Sequence, residues 1–299
     1  MSGPSSGADV GMRVVVAVVT AYDPGPELAR LVDEVALQVA SVVVVDDGST
    51  SGLEVVAALE DRPGVRVIRK VNAGVAAALN AGVRAALTDE SADAVLTLDQ
   101  DSGLPPTYVA RAVRAWQDAV TRGIPVAFVC AASYSGRPTP TRGVVQGYPR
   151  AFDPMQSGSL VPATTYRDVG CYDEGLVIDA VDSEFTVRCL AAGLEPLVAP
   201  GCDLAHGMGE VTTVQMLGRD LAYNHHSPDR VYYMARNGTL LTRRHTRDEP
   251  GWVLRRLAEE AKAHTLRLAL DPARADLARA AVAGLRDGLR GRTGRRPDA

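Results

Sequence analysis

Short runs of β-branched residues alternate with amphipathic helical segments through the first half of this chain, and this alternation limits the possible folds more than any other feature. The runs are short, apolar and rich in valine, which is typical of buried strands. The segments between them are apolar on one face at helical spacing. The pattern predicts an α/β fold with a Rossmann-like, mostly parallel central sheet flanked by helices. The five predicted strands begin at Arg13, Ser41, Val65, Asp93 and Pro125.

Composition narrows the class of protein. With 299 residues and 46% hydrophobic content, the chain can bury a sizeable core. Its formal net charge of -4 gives no broad positive field, so we expect no nucleic-acid partner. No apolar stretch approaches the about 20 residues of a membrane span, and the N-terminus lacks the build of a signal peptide. Together with free thiols at Cys130, Cys171, Cys189 and Cys202, which have no metal-site spacing, this predicts a cytoplasmic chain.

Pairs of carboxylates follow two of the predicted strands. Asp46 and Asp47 end the run that begins at Ser41, and Asp99 and Asp101 follow the apolar residues of LTLDQDS. Ligands of open α/β sheets bind at the carboxyl ends of the strands. A single carboxylate there, such as Asp47, is also a common helix N-cap. Two carboxylates at positions i and i+2 repel each other unless a cation lies between them, so we expect Mg²⁺ or Mn²⁺ at Asp99 and Asp101.

Several standard motifs are absent from the sequence. No G-x-G-x-x-G follows the first strand, where the chain reads TAYDPGPE, and neither G-x-x-x-x-G-K-[ST] nor H-E-x-x-H occurs. The clusters DDGSTSG and QSGSL do not fit G-x-S-x-G. These absences count against a dinucleotide-binding fold and against a nucleophile elbow.

A second group of carboxylates, Asp179, Asp182 and Glu184, lies in DAVDSEFTVRCLAAG. Residues 182 and 184 cannot share a helix face, so we expect one of them to face the cleft. The other is expected to pair elsewhere, for example Glu184 with Arg188 at i+4. The alternative interpretation is that these carboxylates only complement a helix dipole.

The segment SPDRVYYMARNGTLL predicts a further helix, with Ser227 as N-cap and Pro228 as its first residue. Tyr233, Arg236 and Asn237 fall on neighbouring turns of that helix. An arginine at this position could neutralise a diphosphate leaving group.

The last part of the chain has a different character. After His245 come two mixed-charge helical patterns and an arginine-rich tail. One interpretation is a helical cap on the preceding domain or a contact with a partner subunit. The other is contact with an anionic membrane surface, with Trp252 and the tail arginines as anchors. Glu259 and Glu260 within the same helical pattern weaken the membrane interpretation.

Seven segments in order along the chain resemble the motifs of one enzyme family. These are VVTAYDPG, VVVVDDGST, KVNAGVAAALNAG, LTLDQDS, VDSEFTVRCLAAG, AHGMG and YYMARN. They look like the inverting family-two glycosyltransferases of the GT-A fold, and most like bacterial rhamnosyltransferases, whose metal motif often reads DQDS and whose acid motif often reads VD-x-E-W. The resemblance covers roughly Arg13 to His245. The chain departs from these relatives at Phe185, where they usually carry tryptophan.

The resemblance implies a role for each matching residue. For binding of the nucleotide and donor it implies Tyr22, Asp23, Asp46, Asp47, Asn72, Gly74, Asp99, Gln100 and Arg236. For the metal it implies Asp101, His206 and Asp99. It assigns the general base to Asp182, and gives Asp179, Glu184, Tyr233 and Asn237 places beside the acceptor or in support of the site.

The implied function is a metal-dependent inverting glycosyltransferase that moves a sugar, L-rhamnose from dTDP-L-rhamnose, to a glycan or lipid-linked acceptor. Two alternatives stay open: a sugar-nucleotide pyrophosphorylase and a non-catalytic module that binds nucleotide sugars. A pyrophosphorylase carries a glycine-rich basic loop after its first strand, where this chain has YDPG. The presence of Asp99, Asp101, Asp182 and His206 speaks against a non-catalytic module.

We expect three regions along the chain. They are a disordered N-terminus over residues 1–12, a GT-A domain over residues 13–245, and a helical extension with a basic tail over residues 246–299. The extension is expected to be a helical cap on the GT-A domain, to join a homo-oligomer, or to contact the inner face of a membrane peripherally.

Overall fold

The structure is a computed structural model that describes residues 11–207, 211–216 and 219–296. Residues 1–10 of the expected disordered N-terminus, and the last three residues of the expected basic tail, lie outside the described residues.

The strands, in chain order, are β1 (Val15–Ala21), β2 (Ser41–Asp46), β3 (Val65–Arg69), β4 (Ala94–Asp99), β5 (Val126–Cys130), β6 (Ser133–Tyr134), β7 (Arg137–Pro138), β8 (Thr141–Val145), β9 (Tyr148–Ala151), β10 (Ser159–Pro162), β11 (Glu195–Val198), β12 (Asp203–Leu204), β13 (Val211–Met216) and β14 (Arg219–Asn224). The helices are α1 (Glu27–Ala36), α2 (Leu53–Glu60), α3 (Val75–Thr88), α4 (Tyr108–Thr121), α5 (Ala163–Val169), α6 (Val181–Ala191), α7 (Pro228–His245), α8 (Pro250–Leu270) and α9 (Arg274–Leu289), with a short 3₁₀ helix at Glu174–Leu176.

The central sheet has nine strands in the order β3-β2-β1-β4-β10-β5-β11-β9-β8. Strands β1 to β4 are parallel wherever they pair. Beyond them the sheet is mixed, because β10 runs antiparallel to both β4 and β5 while β11 runs parallel to β5. The five predicted strands correspond to β1 to β5, and the predicted α/β class with flanking helices is confirmed.

Burial on both faces explains why the first strands are almost continuously apolar. All seven residues of β1 are buried. Val16 and Val18 belong to one hydrophobic cluster and Ala17 and Val19 to the other, so successive side chains enter opposite faces of the sheet. Helix α3 lies very close to this sheet, since a Cβ atom on Gly82 would come 2.3 Å from Val18 Cγ1. The four cysteines form no disulfide.

The C-terminal helices pack on the rest of the protein. Helix α7 begins as predicted, with Pro228 in its first turn and with Ser227 Oγ accepting a hydrogen bond from the Arg230 amide at 3.3 Å. On α8, Trp252 Nε1 donates to the Phe152 carbonyl at 2.7 Å, and their rings lie 5.8 Å apart. Among the helices of the described ranges, none is both long and apolar enough to span a membrane.

Candidate active site

The strand order reverses between β1 and β4, and open α/β sheets bind ligands in the crevice at such a point. Gln100, which follows β4, joins the two strand ends. Its Oε1 atom accepts a hydrogen bond from the Tyr22 amide at 2.7 Å, and its Nε2 atom donates to the Tyr22 carbonyl at 3.2 Å. The crevice therefore has a rigid floor at the position where the sequence predicts nucleotide binding.

Asp99, Asp101 and His206 come together beside this crevice. A ligand atom from each of the three lies within 4.8 Å of the others. His206 Nδ1 is 3.4 Å from Asp101 Oδ1, and His206 Nε2 is 4.0 Å from Asp99 Oδ2. The backbone bridge between Gly103 and Ala205 draws the histidine to the aspartates across more than 100 residues of sequence. Two carboxylates and one imidazole are a donor set that fits Mn²⁺ or Mg²⁺.

The surroundings of Asp99 concentrate negative charge. Burial raises the pKa of this carboxyl to about 6, the His206 ring opposes that rise, and the carboxylates of Asp101 and Asp182 add to it. Asp99 Oδ1 also accepts hydrogen bonds from Thr20 Oγ1 and from Gln156 Nε2. Such mutual repulsion among acidic groups is relieved by a bound cation.

A cavity of about 610 Å³ opens next to the acidic cluster, which is within the size range of small-molecule sites. Residues from the ends of β1, β2 and β4 form one side, and residues near the start of α3 and on α7 form others. Six of the residues predicted for nucleotide binding line it, as does Tyr233, which was predicted to support the site. The six are Tyr22, Asp47, Asn72, Gly74, Asp99 and Gln100.

Asp47 organises the loop that forms one wall of the cavity. Its carboxylate accepts hydrogen bonds from the Ala73 amide at 3.0 Å and the Gly74 amide at 2.8 Å, and it pairs with Lys70 Nζ at 2.5 Å. Gly74 itself has φ +96°, and a Cβ atom there would come 2.4 Å from the Val177 carbonyl oxygen. Only glycine fits this conformation and this close approach.

Asp23 and Asp46 have a different role from the one predicted, because neither lines the cavity. Asp23 Oδ1 accepts from the amides of Thr50 and Ser51, and these backbone hydrogen bonds lower the pKa of Asp23. Asp46 Oδ1 accepts from both the amide and the hydroxyl of Ser49. Their carboxylates therefore shape the loop after β2 rather than face a ligand.

Asp182 lies in the first turn of α6, in a pocket with Gln156, Tyr172 and Phe185. Burial raises the pKa of its carboxyl above the ordinary aspartate value. A carboxyl with a raised pKa holds an accepted proton more readily, which suits a general base or acid. Phe185, at the position where tryptophan was expected, packs against Tyr172 with ring centroids 4.8 Å apart.

Glu184 faces away from this pocket and pairs with Arg188, as the helical spacing predicts. Arg188 Nε lies 2.8 Å from both carboxylate oxygens of Glu184, which is 4% exposed. Asp179 pairs with Arg230 at 3.1 Å. Neither carboxylate lines the large cavity or the Asp182 pocket.

Arg236 does not reach the cavity, and this corrects the prediction that it binds the donor diphosphate. The residue is 1% exposed, and its guanidinium donates to the carbonyls of Gly175, Leu176 and Gly294. It lies 4.7 Å from the ring of Tyr233. Its Nε atom donates to Asn237 Oδ1 at 2.9 Å, so the guanidinium is bonded within the protein and Arg236 is a structural arginine.

Asn237, next to it, holds the same loop. Its Nδ2 atom donates to the carbonyls of Leu176, Ile178 and Asp179 at 2.8 to 2.9 Å. The loop needs such support because the β-branched Val177, at φ +67° and ψ -67°, is the centre of a strained γ-turn in which the Ile178 amide donates to the Leu176 carbonyl at 2.8 Å. Val177 and Ile178 line the cavity, so Asn237 supports a wall of the site without contacting its contents.

Several residues near the site carry no recognisable signal in the sequence. Gln156, which donates to Asp99, comes from an irregular segment before β10 that has no periodic signal. Asp153 pairs with Arg256 of α8 at 3.3 Å, and burial raises the pKa of Asp153 to about 7. Arg295 and Arg296 line the large cavity from the far end of the chain. For Arg295 and Arg296, the only signal in the sequence is the arginine-rich composition of the tail.

Comparisons with known proteins agree with this architecture. Residues 16–156 match the family model described as glycosyl transferase family 2. Over 245 residues the chain is 29% identical to the dTDP-rhamnosyl transferase RfbF of Shigella flexneri, covering 77% of this chain and 80% of that protein. The predicted resemblance to family-two glycosyltransferases is thereby confirmed.

One solved structure shares the fold at a TM-score above 0.5, and a second aligns less well. The crystal structure of GalNAc-T7 with UDP, GalNAc and Mn²⁺ aligns over 78% of this chain, with a TM-score of 0.56 and 15% identity. This chain covers 48%, about half, of the length of that structure. A crystal structure of S. aureus TarS in complex with UDP-GlcNAc aligns with a TM-score of 0.49 at 15% identity, covering 93% of this chain and 92% of that one.

Proposed function

This chain carries a glycosyl transferase family 2 domain over residues 16–156, and on that premise we propose that it transfers L-rhamnose from dTDP-L-rhamnose to a glycan or lipid-linked acceptor, with inversion. The observation that carries the proposal is the acidic cluster of Asp99, Asp101 and His206 beside a cavity of about 610 Å³ at the strand-order reversal. The choice of sugar rests on the similarity to the dTDP-rhamnosyl transferase.

In this proposal Asp99, Asp101 and His206 hold a divalent ion, Mg²⁺ or Mn²⁺. When bound, the ion supplies positive charge that neutralises the donor diphosphate and the leaving group. The chain's own contribution is to hold three ligand atoms within 4.8 Å of one another. Ser102 Oγ, 3.3 Å from His206 Nδ1, helps to orient the imidazole ring.

The nucleotide end of the donor would occupy the cavity between the loops that follow β1, β2 and β3. Gly74 lets the backbone approach the ligand closely, and Asp47 keeps the Ala73 and Gly74 amides in position. Gln100 fixes the backbone at Tyr22, whose side chain is 49% exposed and free to contact a base or ribose.

Asp182 is the proposed general base. The acceptor hydroxyl oxygen forms a bond to the anomeric carbon while the bond from that carbon to the diphosphate oxygen breaks. The hydroxyl proton passes to Asp182, and the electron pair of the broken bond leaves with the diphosphate. Attack on the face opposite the leaving group inverts the configuration. The raised pKa of Asp182 supports this role, because the carboxylate can keep the proton after transfer.

The remaining partners follow from the same proposal. A lipid-linked acceptor would bring the chain to the inner face of a membrane, as expected of a cytoplasmic peripheral enzyme. Contact through the C-terminal helices, with a membrane or with a second copy, is supported by exposed apolar side chains on α8 and α9. These are Leu254, Leu257, Val282, Leu285 and Leu289.

The test is a panel of nucleotide sugars with Mn²⁺ and no added acceptor, with the released nucleoside diphosphate measured by ³¹P NMR. We expect slow release of dTDP from dTDP-L-rhamnose, faster than release from UDP-glucose, UDP-GlcNAc or GDP-mannose. Adding pyrophosphate tests whether the protein is a sugar-nucleotide pyrophosphorylase, since such an enzyme would form dTTP and a sugar phosphate. Release from a UDP-sugar alone would contradict the donor assignment, and formation of dTTP would contradict the reaction class.

A further inference from the structure

The chain beyond α9 returns to the mouth of the large cavity. Here the C-terminal tail denotes residues 291–296. The Gly294 amide donates to the Gly175 carbonyl at 2.7 Å, and the Gly294 carbonyl accepts from the buried guanidinium of Arg236. Arg236 thus anchors the tail at the 3₁₀ helix, beside the cavity wall formed by Val177.

Arg296 fastens the end of the tail to α7. Its amide donates to the Tyr233 hydroxyl at 2.9 Å, and its guanidinium pairs with Asp229 at 2.9 Å. The same guanidinium lies 4.9 Å from the ring of Tyr232. The positive charge of Arg296 is therefore matched by the Asp229 carboxylate. The contacts of Arg296 with α7 hold the neighbouring residue, Arg295, at the cavity.

Arg295 differs from the other charged residues that line the cavity. Asp47 is paired with Lys70, Asp229 with Arg296, and Asp99 lies beside His206. The Arg295 guanidinium donates to Asn72 Oδ1, a neutral amide oxygen. Within the described residues it has no carboxylate partner, although three aspartates, Asp47, Asp99 and Asp229, line the same cavity. Arg295 is exposed at the mouth of the cavity, where its guanidinium can reach a ligand, and an arginine there without an anionic partner is suited to bind an anion.

We propose that the C-terminal tail is part of the donor site and that Arg295 binds the diphosphate of the nucleotide. This inference rests on the proposed function, because it takes the cavity to be the nucleotide site. When the donor binds, the guanidinium exchanges its hydrogen bond to the Asn72 amide oxygen for charge-assisted hydrogen bonds to phosphate. The sequence assigned this task to Arg236, but Arg236 has a different one: it holds the tail that carries Arg295.

The experiment compares nucleoside diphosphates with their nucleosides. In Mg²⁺ buffer, dTDP and UDP are titrated into the full chain by calorimetry, and thymidine and uridine are measured by ligand-observed NMR. Arg295→Gln should bind the preferred diphosphate about 10 to 100 times more weakly than the unaltered chain, the effect expected of one charged hydrogen-bond partner. Its affinity for the matching nucleoside should change less than about twofold. Arg295→Lys, which keeps the charge, should recover part of the loss.

Arg290→Gln is the matched control, because Arg290 is exposed, lies just before the tail and does not line the cavity. It makes the same charge change and should leave both affinities unaltered. Equal diphosphate affinity in Arg295→Gln and the unaltered chain would overturn the inference while leaving the proposed function standing. An equal loss for diphosphate and nucleoside would also overturn it, since the tail would then only support the cavity. If the unaltered chain binds neither dTDP nor UDP, the proposed function fails and the inference fails with it.

Discussion

Replacing Asp182 by asparagine should lower sugar transfer by about two to four orders of magnitude, the usual contribution of a positioned general base. Asparagine keeps the size and shape of the side chain but cannot accept the acceptor proton. The hydrogen bond that Asp182 Oδ1 accepts from the Ser183 amide at 2.9 Å can also be accepted by an asparagine oxygen, so α6 should begin unchanged. Donor affinity and single-turnover transfer, measured on the same preparation, separate the loss of chemistry from loss of binding.

The same experiment distinguishes an enzyme from a binding module. If Asp182 only complements the start of a helix, the asparagine variant should remain active. Asp168→Asn is a suitable control because it makes the same charge change at an exposed residue that lines neither pocket. Full transfer by Asp182→Asn would contradict the assignment of Asp182 as the general base.

Replacing Asp101 by asparagine should abolish transfer and remove the effect of metal on donor binding. Its carboxylate is 41% exposed and lies 3.4 Å from His206, so the substitution should disturb the fold little while removing a charged ligand. Donor affinity is measured by calorimetry in Mn²⁺ and again in EDTA. The unaltered chain should bind more tightly with Mn²⁺, whereas the variant should bind equally weakly in both.

A melting temperature close to that of the unaltered chain would establish that the Asp101→Asn variant is folded, and Asp168→Asn again provides the charge control. Normal, EDTA-sensitive turnover by Asp101→Asn would exclude this residue as a metal ligand. In that case His206 and Asp99 alone would have to account for any metal dependence.

The parts of the site that follow a strand directly could be predicted from sequence. Asp47, Asp99 and Gln100 are fixed by where β2 and β4 end, and strand ends are visible as the last residue of an apolar run. The partner of Glu184 was predictable for a similar reason, because helical spacing brings Arg188 alongside it. Such local relations depend only on the geometry of one element.

Relations between distant elements were not predictable in this way. Helical spacing groups Tyr233, Arg236 and Asn237, but it does not tell which neighbour covers their face of α7. The covering elements are the 3₁₀ helix, α9 and the tail, and they leave Arg236 1% exposed with its guanidinium bonded to backbone carbonyls and to the Asn237 side chain. Arg295 meets Asn72 across 223 residues of sequence, a separation at which no pattern in one chain indicates contact.

The predicted boundary at residues 245 and 246 illustrates the same limit. The sequence changes character there, since the apolar strands and motifs end. In the structure, α8 nevertheless contacts Phe152, which follows β9. Trp252 Nε1 donates to the Phe152 carbonyl, and the Arg255 guanidinium lies 3.8 Å from the Phe152 ring. Arg256 reaches Asp153 next to the Asp182 pocket, so the C-terminal helices contribute to the surroundings of the site.

We propose that the carboxyl edge of β1, β2 and β4 is a metal-dependent nucleotide-sugar site. The most direct test is calorimetric titration of dTDP-L-rhamnose into the unaltered chain, first with Mn²⁺ and then with EDTA. We expect saturable one-to-one binding with Mn²⁺ and an affinity at least about tenfold lower in EDTA, because the diphosphate then meets the carboxylates of Asp99 and Asp101 without a cation between them. Equal affinity in the two buffers, or no binding in either, would contradict the claim.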